Sequence, residues 1–228
     1  MNYALPLWAI PFVAINQSDD KFPVHRIYCV GRNYAEHARE MGADPVKEAP
    51  FFFCKPNDAV VPSGSVIAYP SATKNFHHEV ELVVALKSGG ANIKPEAALD
   101  LVFGYAVGVD LTRRDLQQAA KDKGRPWDVG KAFDRSAPIG ALRQVSSGGH
   151  IPQAAITIAV NGSVKQSSDV KDMIWNVPDI IAHLSGLFEL NAGDLIYTGT
   201  PAGVGPLVKG DKVTARIDGL PPLDFSIA

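Results

Sequence analysis

Cysteine is scarce in this chain and forms no pattern. Cys29 and Cys54 are the only two in 228 residues. They lack CxxC spacing and sit among apolar neighbours, which suits reduced thiols in a cytoplasmic protein and argues against a disulfide framework. An excess of one charge is missing too: 22 Lys and Arg stand against 24 Asp and Glu, a formal net charge of −2. With no basic run to track a phosphate backbone, nucleic acid is not an expected partner. No apolar run approaches the ~20 residues of a membrane span, so no membrane partner is expected either. Met1 to Ile15 is apolar but is interrupted by Pro6 and Pro11 and has no basic start, so it reads as an N-terminal arm or strand over residues 1–23 rather than a signal peptide. Internal repeats and low-complexity segments are absent. The glycine-rich stretch Gly199 to Gly205 has no Gly-Lys-Ser/Thr and no following helix, which excludes a Walker loop and a dinucleotide fingerprint.

What the chain does have is 46% hydrophobic residues, enough for a sizeable core and one main domain from about Val24 to the end. Short apolar runs punctuated by Pro and Gly predict strands over His25 to Val30, Pro50 to Cys54 and Val102 to Val109, and several short strands within Val60 to Pro70. Asn161-Gly162 predicts a hairpin between 155–160 and 164–167. Val213 to Ile217 is expected to close the chain after a turn at Lys209 to Lys212. Lys55 to Asp58 reads as a turn. Helices are expected over Tyr34 to Met41, briefly near Lys94 to Asp100, over Leu111 to Lys121, and over Val177 to Phe188, the last packing Ile180, Ile181, Leu184 and Leu187 inward.

The run Phe76 to Leu86 carries the chemistry. Read as one strand, it puts Glu79, Glu81, Val83 and Ala85 on one face and His78, Val80, Leu82, Val84 and Leu86 on the other. Two carboxylates at the mouth of an apolar interior repel each other unless something positive joins them, and a divalent cation would do so. His77 shares the face of the glutamates, and His78 is expected to be packed or hydrogen-bonded. Asp110 ends a buried strand; it is either the N-cap of the following helix or a third oxygen ligand for Mg²⁺ or Mn²⁺. On that helix Arg114 and Gln117 are neighbours that either reach a ligand at its start or face solvent.

His37 and Glu40, three residues apart on a short helix, form either an acid/base pair or a solvated surface contact. Ala43 to Ala49 reads as a mobile loop beside them, a candidate lid. Lys131 lies in a loop from Gly124 to Asp134; alone it reads as a surface lysine, with anion binding or proton transfer as the alternative. The glycines around Thr200 either bring backbone amides and its hydroxyl close to an oxyanion or simply make turns.

Taken together and in order, Gly31-Arg32-Asn33-Tyr34 with His37 and Glu40, His78-Glu79-Val80-Glu81-Leu82, Gly108-Val109-Asp110, Lys131-Ala132-Phe133-Asp134 and Thr198-Gly199-Thr200-Pro201-Ala202-Gly203-Val204-Gly205 closely resemble the fumarylacetoacetate hydrolase family in its short form. The resemblance runs from about Val24 to the C-terminus. It implies a mainly β (α+β) fold, a mixed β-roll or sandwich with a few short helices, as a homodimer. It also implies one Mg²⁺ or Mn²⁺ held by Glu79, Glu81 and Asp110, and His37 and Glu40 as a water-activating dyad. Lys131 would sit beside the metal, with Arg32, Arg114, Gln117 and Thr200 as substrate contacts. The arm and the stretch Arg32 to Pro56 look most like the fumarylpyruvate hydrolases of the gentisate route.

The implied substrate is a small 2,4-dioxo acid, an acylpyruvate. His37 would take a proton from water, hydroxide would attack the distal acyl carbonyl, and carbon–carbon cleavage would release pyruvate and an acid. Decarboxylation of oxaloacetate, or tautomerisation or dehydration of 2-oxo acids, is the alternative within enzymes. A non-catalytic, metal-stabilised binding module is the alternative outside them.

Overall fold

The computed structural model describes residues 3–40 and 49–228, without the side chains of Ala38 and Glu40. The lid expected over 43–49 therefore falls, apart from Ala49, outside the described residues. The architecture is mainly β with short helices, as the sequence predicts. A mixed sheet runs in the order Phe51–Lys55, Ile27–Gly31, Leu195–Tyr197, Val80–Leu86, Val102–Val109, Ala137–Ile139 and Val60–Pro62, with Arg143–Gln144 also paired to Val102–Val109. A second sheet orders Ser163–Asp169, Ala155–Val160, Lys212–Ile217, Leu223–Ile227 and Ser65–Ile67.

The central Val80–Leu86 strand is buried along its whole length, and strand alternation divides it between two cores. Val80, Leu82, Val84 and Leu86 join Ile156, Ile158, Val213 and Phe225 of the second sheet and Ile180, Ile181 and Leu184 of the Val177–Ser185 helix. Val83 and Ala85 face a second cluster with Tyr197, Ala106, Val13 and Phe22. Each large apolar side chain so buried contributes about 1.5–3 kcal/mol, which holds the strand in place even though one face also carries Glu81. The last two of those residues come from an N-terminal hairpin, Phe12–Ala14 against Lys21–Pro23, so this part of the arm completes the second core. Among the described residues no helix is long and apolar enough to cross a membrane. Both cysteines are free, Cys29 buried and Cys54 exposed.

Several expectations are corrected. Phe76 to Leu86 is two strands, not one: Phe76–His78 pairs with Thr112–Arg113 and Gly205–Pro206 in a separate small sheet, and the chain changes sheet at Glu79. The helix after Asp110 starts at Arg114, because Thr112 and Arg113 are drawn into pairing with His77 and Phe76. Asp110 is thus not its N-cap. Lys55 ends a strand rather than opening a turn. Lys131 lies on a short helix, Asp128–Lys131. The Val177–Ser185 helix stops before Leu187, which is 65% exposed instead of packed. A further strand, Leu223–Ile227, follows the one expected to be last. The Asn161-Gly162 hairpin forms as predicted, both residues taking positive φ.

Candidate active site

The break at Glu79 positions the site. Glu79 stands at the sheet change, Glu81 is the second residue of the Val80–Leu86 strand, and Asp110 follows the Val102–Val109 strand that pairs with it. The backbone N–H of Asp110 donates to the carbonyl of Glu79 at 2.8 Å, locking the two together. Opposite Glu81 lies Gly108, where a Cβ would stand 2.4 Å from Val83 Cγ2 and 2.6 Å from the Tyr197 ring. Only glycine lets the strands approach closely enough there. One oxygen from each of Glu79, Glu81 and Asp110 lies within 4.8 Å of the others, and all three residues are buried.

Like charges at that separation repel by about 3–4 kcal/mol per pair at an effective dielectric near 20. Three lysine and arginine side chains answer them. Lys131, 2% exposed, donates from Nζ to Glu79 Oε2 at 2.8 Å, Asp110 Oδ2 at 2.5 Å and Thr112 Oγ1 at 2.7 Å. Arg114 is ion-paired through Nη2 with Glu79 Oε1 and donates from Nη1 to Gln117 Oε1 at 2.5 Å. Lys55 Nζ lies 2.8 Å from Asp110 Oδ1 and donates to the carbonyls of Leu111, at 3.2 Å, and Lys131.

The carboxyls respond unequally. Burial raises that of Glu79, but Lys131 and Arg114 outweigh it and hold it below the ordinary range. That of Glu81 is pushed well up by burial and then by Asp110 and Glu79, against the pull of Lys131 and the Gly199 N–H. Lys131 is held above its ordinary value, since Asp110 and Glu79 outweigh the opposing effect of burial.

These residues fit a hard divalent cation. The donors are three buried carboxylate oxygens within 4.8 Å of one another, and Glu81, unlike Glu79 and Asp110, has no lysine or arginine ion-paired with it among the described residues.

The glycine-rich loop does approach an oxyanion, but that oxyanion is Glu81. Gly199 N–H donates to Glu81 Oε2 at 2.8 Å with φ +97°, where a Cβ would press 2.7 Å from Asn33 Cβ. Thr200 is fixed by Gln166, whose amide reaches from the second sheet. Val80 N–H can only donate, so the atom it meets at 3.1 Å is Gln166 Oε1, and the carbonyl of Pro201 can only accept, so Nε2 faces it at 2.7 Å. It follows that His78 Nδ1 donates to Oε1 and that Thr200 Oγ1 accepts from Nε2 at 2.8 Å, leaving the Thr200 proton to be donated elsewhere. His78 is thus packed and hydrogen-bonded, as expected. His77 bonds Asn75 Oδ1 at 2.7 Å, and burial, then Arg114, lowers its pKa to about 4.

Of the ten residues singled out in the sequence, His37, Arg32, Glu79, Glu81, Asp110, Arg114, Gln117, Lys131 and Thr200 line one narrow cleft. Glu40 ends the Ala35–Glu40 helix, its side chain outside those described. Arg32 takes a positive φ of 58° at the turn into that helix. The cleft shares Arg32, Phe53, Trp127 and Lys131 with an adjoining cavity of about 620 Å³ walled by Phe51, Phe52 and Pro126.

Lys55, Gln166, Lys121, Phe53 and Trp127 also line or support the cleft and are not among the residues that the sequence singles out. Only Lys55 left a signal, a charged residue ending an apolar strand.

Residues 26–228 match the family described as fumarylacetoacetate (FAA) hydrolase C-terminal. The chain belongs to this family. A fumarylpyruvate hydrolase from Ralstonia sp. is 45% identical over 184 residues, which are 81% of this chain and 95% of the relative. The mitochondrial oxaloacetate tautomerase of Homo sapiens is 40% identical over 201 residues, 88% of this chain and 90% of that protein. In three dimensions the chain is similar to the crystal structure of a fumarylpyruvate hydrolase from Pseudomonas aeruginosa in complex with Mn²⁺ and pyruvate. The TM-score is 0.98 at 52% identity, covering 100% of this chain and 99% of the other.

Proposed function

We propose that this member of the fumarylacetoacetate hydrolase family is a metal-dependent hydrolase of carbon–carbon bonds in acylpyruvates, with fumarylpyruvate as the substrate and fumarate and pyruvate as products. The observation that carries the reading is the convergence of three buried carboxylates beside Lys131 and Arg114. The relatives supply the substrate class: one of them is a fumarylpyruvate hydrolase with Mn²⁺ and pyruvate bound.

In this reading Glu79, Glu81 and Asp110 hold one Mg²⁺ or Mn²⁺. Such a cation polarises a 2-oxo acid and offsets negative charge developing on it. The chain's own residues do the rest. The cleft wall formed by Arg114, Gln117 and Thr200 orients the pyruvyl end, Thr200 through the hydroxyl proton that Gln166 leaves unused. His37 takes a proton from water, assisted by Glu40, and the hydroxide adds to the distal acyl carbonyl. The bond between C3 and C4 then breaks, its electron pair staying with C3 of the pyruvyl fragment. Return of a proton to C3 gives pyruvate, and the hydroxide oxygen remains in the acid released from the acyl side. Lys131, fixed by three hydrogen bonds, supplies a stationary positive charge for the fragment that gains the electron pair.

The gentisate route, a cytoplasmic location, a homodimer and a catalytic unit beginning near Val24 stay part of this reading on the strength of the sequence resemblance. The 40% identity to an oxaloacetate tautomerase supports a second reading, in which the same groups move a proton without attack by water. Product analysis separates them. Incubation of the Mn²⁺-loaded protein with fumarylpyruvate is expected to yield fumarate and pyruvate in equal amounts. Enol–keto exchange of oxaloacetate with no cleavage of fumarylpyruvate would favour the tautomerase instead.

A further inference from the structure

The Arg114–Asp122 helix sends three side chains into the cleft at a spacing of three to four residues: Arg114, Gln117 and Lys121. The first two are engaged, Arg114 with Glu79 and both with each other. Lys121 is not. It is half-buried, and among the described residues its ammonium makes no ion pair. Its ammonium pKa is lowered by burial and then by repulsion from Arg32 and Arg114, with Asp122 opposing. A cation repelled by Arg32 and Arg114 gains most from an anion that arrives with the ligand.

We propose that Lys121 binds the terminal carboxylate of the acyl arm and so makes the site selective for acylpyruvates that end in a second carboxylate. This rests on the acylpyruvate reading above. The helix provides the ruler: seven residues at about 1.5 Å each put the Lys121 backbone about 10 Å beyond that of Arg114. In fumarylpyruvate six carbon–carbon bonds of about 1.5 Å, laid out in zigzag, separate the two carboxyl carbons by roughly 7–8 Å. A pyruvyl end held at Arg114 thus places the far carboxylate within reach of a lysine side chain one turn past Gln117. The two carboxylates of oxaloacetate, roughly 4 Å apart by the same bond lengths, cannot engage both ends. Lys121 therefore discriminates between the two substrates considered above, which the carboxylate triad alone does not.

The test measures binding, so that it does not depend on turnover. Dissociation constants of fumarylpyruvate and of acetylpyruvate, which lacks the second carboxylate, are determined by calorimetry on Mn²⁺-loaded His37→Ala protein with and without Lys121→Met. Lys121→Met is expected to weaken fumarylpyruvate roughly ten- to hundredfold, the range for a charge-assisted hydrogen bond, and to leave acetylpyruvate within about twofold. Lys121→Arg should restore most of the loss. Equal weakening of both ligands, no change in either, or no binding of fumarylpyruvate at all overturns the proposal. Turnover by the unmodified enzyme is assayed separately. If it hydrolyses neither compound, the functional reading fails while the ratio of constants still decides the role of Lys121. If it hydrolyses both and the ratio does not move, the functional reading stands and the subsite falls.

Discussion

Lys55 ends a strand whose other residues are three phenylalanines and a cysteine, and its ammonium is buried against Asp110 and two backbone carbonyls. Removing one partner of a buried ion pair leaves the other charge without its counterion, which costs about 3–5 kcal/mol. Lys131 still faces Asp110, so the low end of that range applies here. Lys55→Met is therefore expected to lower unfolding stability by about 3 kcal/mol in urea titration; a change under about 0.5 kcal/mol would mean the pair contributes nothing net.

The same residue shows what was legible at this scale. Glu79 and Glu81 stand out as two carboxylates in one apolar run, whereas Asp110 at a strand end reads equally as an N-cap until the family resemblance places it beside them. A lysine has a long apolar stem, so the position of its backbone says little about where its charge ends up. Lys55 and Lys121 were missed for that reason. Lys131 in isolation looked like a surface residue, and it was assigned to the site only through the family resemblance. Gln166 left no trace, because its four partners come from other strands and loops.

At the scale of elements, the strands were legible wherever local pattern decides, as in Val102–Val109 and the Asn161-Gly162 hairpin. Errors fell where distant pairing decides. Nothing local announces that Phe76–His78 leaves the sheet of Val80–Leu86, or that Thr112 and Arg113 pair with it and delay the helix to Arg114. Leu187 fits the apolar stripe only while the helix continues, and the helix ends at Ser185.

That delayed helix start is secured by Asp115. Its carboxylate accepts from Thr73 Oγ1 at 2.5 Å, from Lys74 N–H at 2.9 Å and from Leu116 N–H at 2.9 Å, tying the loop before Asn75 to the first turn. Burial raises its pKa, but these bonds prevail and lower it. A carboxyl depressed in the folded state contributes stability above its unfolded value that is lost as pH falls through the folded one. Asp115→Asn should cost about 0.5–1 kcal/mol at pH 7, discounted for solvent screening because the group is only partly buried. The loss should shrink below about pH 4 as the unfolded carboxyl, and at lower pH the native one, becomes protonated. Urea unfolding at pH 7 and pH 3 checks this, and a cost that is equal at both would contradict it.

At the scale of the whole molecule, two cores meet along the Val80–Leu86 strand, and the cluster of three buried carboxylates sits where that strand begins. Burial on both sides is what makes Glu81 hard to ionise and the triad eager for a cation. The mainly β class was readable from the short apolar runs, whereas the expected ligand set came only from the resemblance that the ordered motifs carry. The aromatic cavity beside the cleft was not readable, since Phe53 and Trp127 meet only after the sheet and the Asp128–Lys131 helix have packed.

Binding of the cation on which acylpyruvate cleavage depends is proposed for Glu79, Glu81 and Asp110. It is tested most directly by following fumarylpyruvate hydrolysis in chelated protein as Mn²⁺ is added back, for the wild type and Glu81→Gln. The wild type should rise from baseline to full activity at one equivalent per chain. Glu81→Gln should need far more metal, by at least about tenfold, as expected for loss of a charged ligand. Full hydrolysis before any cation is restored, or identical titrations for the two proteins, would contradict it.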